Sequence, residues 1–185
     1  MANTASYAST GKPKIAGAIY AAPVGTTLPT DASTALDEAF EALGYVSEDG
    51  VTNDNSPETE NIRAWGGDVV LTPTTSRDDS FGFTLIEVLN LAVLKLIYGS
   101  TNVSGTLATG ITINVNNKQL ENHSIVIDMI LTDDGVKRIV IPAAAVAEVG
   151  TITYKDDEAI GYETTLSCQA DASGNTHYEY IKRAA

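Results

Sequence analysis

The sequence predicts a mainly β protein, a sandwich or barrel with one flanking α-helix, and three observations carry that reading. Thr, Val and Ile are abundant, and Gly and Asx turn signals recur along the chain. The turn Thr132-Asp133-Asp134-Gly135 separates two apolar runs, which is a strong hairpin signal. Residues 88–98 place Val88, Leu89, Ala92, Val93, Leu96 and Ile97 on one broad helical face, and Gly99 supplies the stop. With 185 residues, 43% of them hydrophobic, the chain fits one domain with a core of its own.

Taken in order, residues 1–14 are rich in Ala, Ser and Thr and read as an arm that a neighbour would order. A strand over residues 14–22 stops at Pro23. Leu36, Phe40 and Leu43 recur at helical spacing, with Asp31 or Ser33 to cap and Gly44 to stop, so a short helix is expected there. Residues 45–80 are a long polar run, read as an extended hairpin-like excursion with short strands at 58–65 and 68–72. Phe81, Phe83 and Leu85 alternate in a strand that leads into the helix. Further strands are expected at 111–115, 124–131, 136–141 (ended by Pro142), 145–154, 161–170 and 176–181.

The charge narrows the function. A formal net charge of −13, from 24 acidic against 11 basic residues, argues against binding nucleic acid through phosphate neutralisation. It suits a wall that nucleic acid must pass without sticking. Between Lys14 and Arg63 there are nine carboxylates and no Lys or Arg, a run that is ordinarily a solvated face.

Catalytic chemistry has little to stand on. His123 and His177 are the two histidines and Cys168 is the single cysteine, so a nucleophile–base pair and a zinc site are both improbable. Cys168 reads as a buried small residue in a strand, and one cysteine forms no internal disulfide. Asp78-Asp79, Asp133-Asp134 and Asp156-Asp157 read as solvated turns, not calcium loops. No phosphate-binding glycine loop occurs. The sequons at Asn102 and Asn122 are discounted because residues 1–14 lack the apolar stretch of a signal peptide. Residues 85–98 are interrupted by Glu87, Asn90 and Lys95 and fall short of the ~20 residues of a membrane span. No cofactor, metal, catalytic residue or membrane is expected.

Several segments resemble the major tail tube proteins of siphophages: GAIYAAPVGTTLPTD, LGYVSEDGVT, ETENIRAWGGDVV and FGFTLIEVLNLAVLKLIYG, followed by the strand-rich stretch with its DDG hairpin. The resemblance extends over most of the chain. It implies a tail-tube β-sandwich over residues 15–181, with a terminal arm at 1–14, an interface loop at about 48–77 and a tail at 182–185. It also implies self-assembly into stacked, hexameric rings that form a hollow tube in the virion. DNA would transit the lumen without specific binding, and the tape measure, tail terminator and baseplate proteins would be partners.

By position, the resemblance makes Lys12 and Lys14 of the arm, Asn53, Asp54, Asn55, Glu58, Glu60, Arg63, Trp65 and Arg77 of the loop, and Lys182 and Arg183 of the tail the candidate inter-subunit residues. A tail-like bacteriocin, a type VI secretion tube and a β-sandwich binding or adhesin module are the alternative readings. Polar arms that lack a core fit the first group, and a scarcity of aromatics, one Trp and three Phe, speaks against the last.

Overall fold

The computed structural model describes residues 3–14 and 18–183. Its main sheet has nine strands. These are β1 (Lys12–Pro13), β2 (Ile19–Pro23), β3 (Glu41–Ala42), β4 (Val46–Thr59), β7 (Thr74–Leu85), β10 (His123–Ile130), β11 (Val136–Val149), β12 (Tyr162–Gln169) and β13 (Tyr178–Lys182). Two small hairpins are separate, β5 (Ile62–Arg63) with β6 (Val69–Leu71), and β8 (Val103–Thr106) with β9 (Gly110–Ile113). The helix α1 is Leu91–Tyr98.

The main order is β3-β2-β10-β11-β12-β7-β4, with β1 also on β10 and β13 also on β11. The 14-residue β11 organises this sheet. Its first half pairs with β13, its second half with β12, and the register shifts between Val146 and Glu148. Such a shift bends a strand and lets it pass from one layer of a sandwich to the other. Ile125, Ile127, Ile139 and Ile141 from one part of the sheet therefore meet Phe81, Phe83, Leu85 and Leu166 from the other in a single core. Val93, Leu94, Leu96 and Ile97 of α1 join that core. Each such side chain, fully buried, contributes roughly 1.5–3 kcal/mol. Every alternate residue faces the opposite side, where Ala22, Val126 and Val140 pack with Phe40 in a smaller cluster flanked by Tyr178 and Tyr180. The result is a mainly β sandwich with one flanking helix, as the sequence predicts.

Local details depart from the sequence reading for identifiable reasons. The expected helix over 31–44 does not form, although Asp31 accepts from the backbone N–H groups of Ser33 and Thr34 as a cap would. Arg138 Nη1 takes the carbonyls of Asp31 and Thr34, at 3.2 and 2.8 Å, which a continuing helix would need as its own acceptors. The apolar spacing serves two clusters instead, Leu43 in the main core and Leu36 with Phe40 in the smaller one.

Pro142 does not end its strand. It lies inside β11 where pairing with β10 changes register between His123 and Ile125, so its missing N–H breaks no regular ladder. α1 begins after Asn90, three residues later than the apolar pattern suggests, because the Asn90 side chain accepts from Ala92 N at 3.0 Å and sets the cap. In the 132–135 turn the left-handed positions are Asp133 and Asp134, each with φ 57°, and Gly135 is extended. Aspartate tolerates that region better than most side chains, which explains a Gly at the turn's end and not its centre.

The excursion at 45–80 is more regular than the sequence indicates. β4 and β7 pair from Val46 with Leu85 out to Thr59 with Thr74, a ribbon about 36 Å long at ~3.3 Å per residue of β7. Its inner part is core, and its outer part stands in solvent.

Candidate assembly surfaces

The expected inter-subunit residues gather in two places. Asn53, Asp54, Asn55 and Glu58 lie on β4 and Arg77 lies opposite on β7. Their side chains hold the ribbon together across its face: Arg77 donates to Asn55, and Ser76 Oγ donates to Glu58 at 2.8 Å. Glu60 follows β4, and its N–H closes on Pro73 O at 3.0 Å. Beyond it the β5–β6 hairpin forms the tip. Gly66 and Gly67 turn there with φ of 124° and 99°, a conformation that needs glycine, and Arg63 Nη1 donates to Gly67 O at 2.8 Å.

That tip is apolar and uncovered. Ile62, Trp65, Val69, Val70 and Leu71 are all exposed, and Trp65 is 107% exposed. Isolated exposed apolar residues are unremarkable, but five on one short hairpin form an exposed apolar patch. Only Trp65 was singled out by the sequence. Ile62 and Val69 to Leu71 lie in the two short strands expected at 58–65 and 68–72, but nothing in their local pattern shows that they stay uncovered.

The second group surrounds the 132–135 turn. β1 pairs with the end of β10, Lys12 opposite Ile130. Thr132 N donates to Ser9 Oγ at 2.8 Å and Thr10 N donates to Thr132 Oγ1 at 3.2 Å. From the other terminus, Lys182 of β13 lies opposite Val136 and Arg183 reaches Asp133 at 3.2 Å. Thus the described part of the arm, expected to await a neighbour, lies against its own chain. Residues 1–2 and 184–185 of the arm and tail lie outside the described residues. Lys14 departs from the rest of the group, approaching the buried Asp128 at 3.4 Å.

Two polar clusters connect these surfaces to the body, and the sequence reading missed both. Asp79 of β7, only 4% exposed, accepts from Thr176 Oγ1 (2.5 Å), His177 Nδ1 (2.6 Å) and Asn53 Nδ2 (2.8 Å). It ties the root of the ribbon to the chain entering β13. Burial opposes its ionisation, but those hydrogen bonds together hold its carboxyl below the usual carboxylate range. His177, partly exposed just before β13, packs edge-on against Phe81 with ring centroids 5.3 Å apart.

The other cluster is Arg138 with Asp128, both buried. The hydrogen bonds that Arg138 donates to Asp128 raise its pKa above the ordinary value against the effect of burial.

These surfaces carry no recognisable reaction chemistry. Cys168 lies on β12 and is packed against the core; burial, then the charge of Asp79, pushes its thiol up to about 12, so little nucleophilic thiolate forms. Among the described residues no group of three or more His, Cys, Asp or Glu is placed to hold a metal ion. No described helix is long and apolar enough to cross a membrane, a statement that does not bear on β-barrels.

Comparison with known proteins agrees with this geometry. A search of curated proteins finds no match. The family model described as phage tail tube protein matches residues 13–185, taking in the ribbon, α1, the hairpin turn and the C-terminal strand. That family is a structural component of the virion tail and not a known class of enzyme. The chain belongs to the phage tail tube protein family.

Proposed function

We propose that this chain is the subunit of a siphophage tail tube, closing into six-membered rings that stack into a hollow conduit for double-stranded DNA at infection. The observation that carries the proposal is the apolar tip of the β4–β7 ribbon, held in solvent beyond the core. A repeated head-to-tail contact generates a ring when its rotation closes and a filament when it does not, so one such tip per subunit, seated on the next, supplies the minimum geometry for a tube. The net charge of −13 supports a wall that DNA slides past, because only charges within about a Debye length, ~8 Å, of the duplex are felt. The tape measure protein would occupy the lumen before DNA, with terminator and baseplate proteins at the two ends and assembly in the host cytoplasm.

The test is removal of the tip. Replacing residues 60–73 by a tight turn should leave the circular dichroism and thermal unfolding of the body unchanged while abolishing filaments at concentrations where the intact chain forms them. Filaments of normal diameter from the shortened chain would sink the assignment of the ribbon to an interface.

A further inference from the structure

The row of β7 that faces the core runs outward as Leu85, Phe83, Phe81, Asp79, Arg77 and Thr75, because alternate residues share a face. The three apolar members and Asp79 are buried, whereas Arg77 and Thr75 are exposed. Pairing with β12 stops one residue short of Asp79, at Ser80 opposite Ser167. Pairing with β4 continues from Asn55 opposite Asp79 out to Thr59 opposite Thr74. Asp79 therefore stands where the packed sheet becomes a two-stranded ribbon. Two strands without a third, or without a packed face, are marginal in water, so the direction of such a ribbon is soft unless something at its root fixes it.

Asp79 does so from both sides. Its Oδ1 accepts from Asn53 Nδ2 of β4 at 2.8 Å, and its Oδ2 accepts from Thr176 Oγ1 at 2.5 Å and His177 Nδ1 at 2.6 Å. A carboxylate only accepts, so the ring proton of His177 sits on Nδ1. The two donors on the body are held in turn. Asp171 accepts from the N–H groups of Ser173 and Asn175 and from the Tyr178 hydroxyl, and Tyr178 opens the ladder with β11 opposite Val140. Thr176 and His177 lie between these fixed points. Hydrogen bonds to a buried carboxylate are among the strong ones, and three converge on this one. Farther out the side chains bond across the ribbon, Arg77 to Asn55 and Ser76 to Glu58.

We infer that this cluster is a latch that fixes the direction of the β4–β7 ribbon in the free subunit, with Asp79, Thr176 and His177 as positioning residues for the distant tip. The lever is long. Asp79 to Thr74 alone is about 17 Å at ~3.3 Å per residue, so a bend of about 20° at the root carries the end by about 6 Å. A tip already presented in one direction spares assembly the cost of ordering it on contact. What the tip contacts rests on the tail-tube reading; the latch itself does not.

Distances between spin labels in the dilute chain test it. Nitroxides at Asp68→Cys on the tip and Ser167→Cys on the body, both exposed positions, should give one narrow distance distribution in a Cys168→Ala background. Thr176→Val with His177→Phe removes both body donors at little change in shape. It should widen the distribution at least about twofold at temperatures well below unfolding, as a freed local unit does. Asn53→Ala loosens only the ribbon side, controls for lost stability and should leave the distribution narrow. If the double variant does not fold, Thr176→Val alone carries the same comparison. Should the correctly directed fraction fall to about a tenth, the concentration needed for filaments rises about tenfold although the tip is intact. An equally narrow distribution in the donor variants, or equal widening by Asn53→Ala, would overturn the latch. Widening with filaments at the native concentration would overturn its part in presenting the tip. No filaments from the native chain would overturn the tail-tube reading, and the distances would still decide the latch.

Discussion

Arg138 and Asp128 stand opposite each other across the β10–β11 hairpin and close a two-point ion pair, Nε to Oδ1 at 2.6 Å and Nη2 to Oδ2 at 2.9 Å. The remaining nitrogen, Nη1, holds the carbonyls of Asp31 and Thr34, so one guanidinium fixes the segment that covers the second face of the sheet. Among the described residues, removing Arg138 leaves a buried carboxylate with Lys14, at 3.4 Å, as its remaining ion-pair partner. Arg138→Ala is expected to cost about 3–5 kcal/mol in urea unfolding, and Arg138→Leu combined with Asp128→Leu to recover much of the loss. Equal losses in the single and double variants would show that the pair is not the source of the effect.

The Asp79 cluster makes stability depend on acid. Because the folded carboxyl titrates below its ordinary value, the folded state binds fewer protons than the unfolded one as pH falls past about 3.9. The contribution of Asp79 is therefore present above that pH and lost as pH falls through the folded value. Asp79→Ala should cost about 2–3 kcal/mol at pH 7, and the gap from the native chain should narrow at pH 3. A gap independent of pH would place the effect in packing.

Gly44 illustrates a glycine with two reasons to be glycine. Its φ is 75°, and an added Cβ would lie 2.0 Å from the carboxyl carbon of Glu87. That carboxylate accepts from Tyr45 N and from Asn90 Nδ2, both at 3.0 Å, and so supports the cap of α1. Gly44→Ala is expected to cost at least about 2 kcal/mol, whereas Gly25→Ala, with φ 100° and open space, should cost about 1 kcal/mol. Chemical denaturation of the two variants side by side makes the comparison.

Trp65 separates folding from assembly. It is fully exposed on the tip, so Trp65→Ala should change unfolding free energy by no more than about 0.5 kcal/mol while raising the concentration at which filaments form. Parallel thermal unfolding and sedimentation would show it, and loss of fold stability would move Trp65 into the body.

What could be read in the sequence was what local pattern controls. The alternation of Phe81, Phe83 and Leu85, the apolar face of α1 and the hairpin at 132–135 all follow from spacing alone, and each is present. The false helix over 31–44 has helical spacing too, but its carbonyls are taken by an arginine about a hundred residues away, a competition no window can register. Counting outward from the 132–135 turn sets Leu131 opposite Val136 and Asp128 opposite Ile139, one residue off the observed register, so that buried pair was not legible from the turn. The Asp79 cluster left no signal either, since Asn53, Asp79 and His177 converge only through the fold. Among the assembly surfaces, polar composition located the ribbon. It did not show that the apolar tip stays uncovered, which only exposure reveals.

Electron microscopy of the purified, concentrated chain tests the central claim most directly. Hollow filaments built of stacked rings, dissolving on dilution, are the expected result. Monodisperse monomers at every concentration, with the body folded and the ribbon intact, would contradict it.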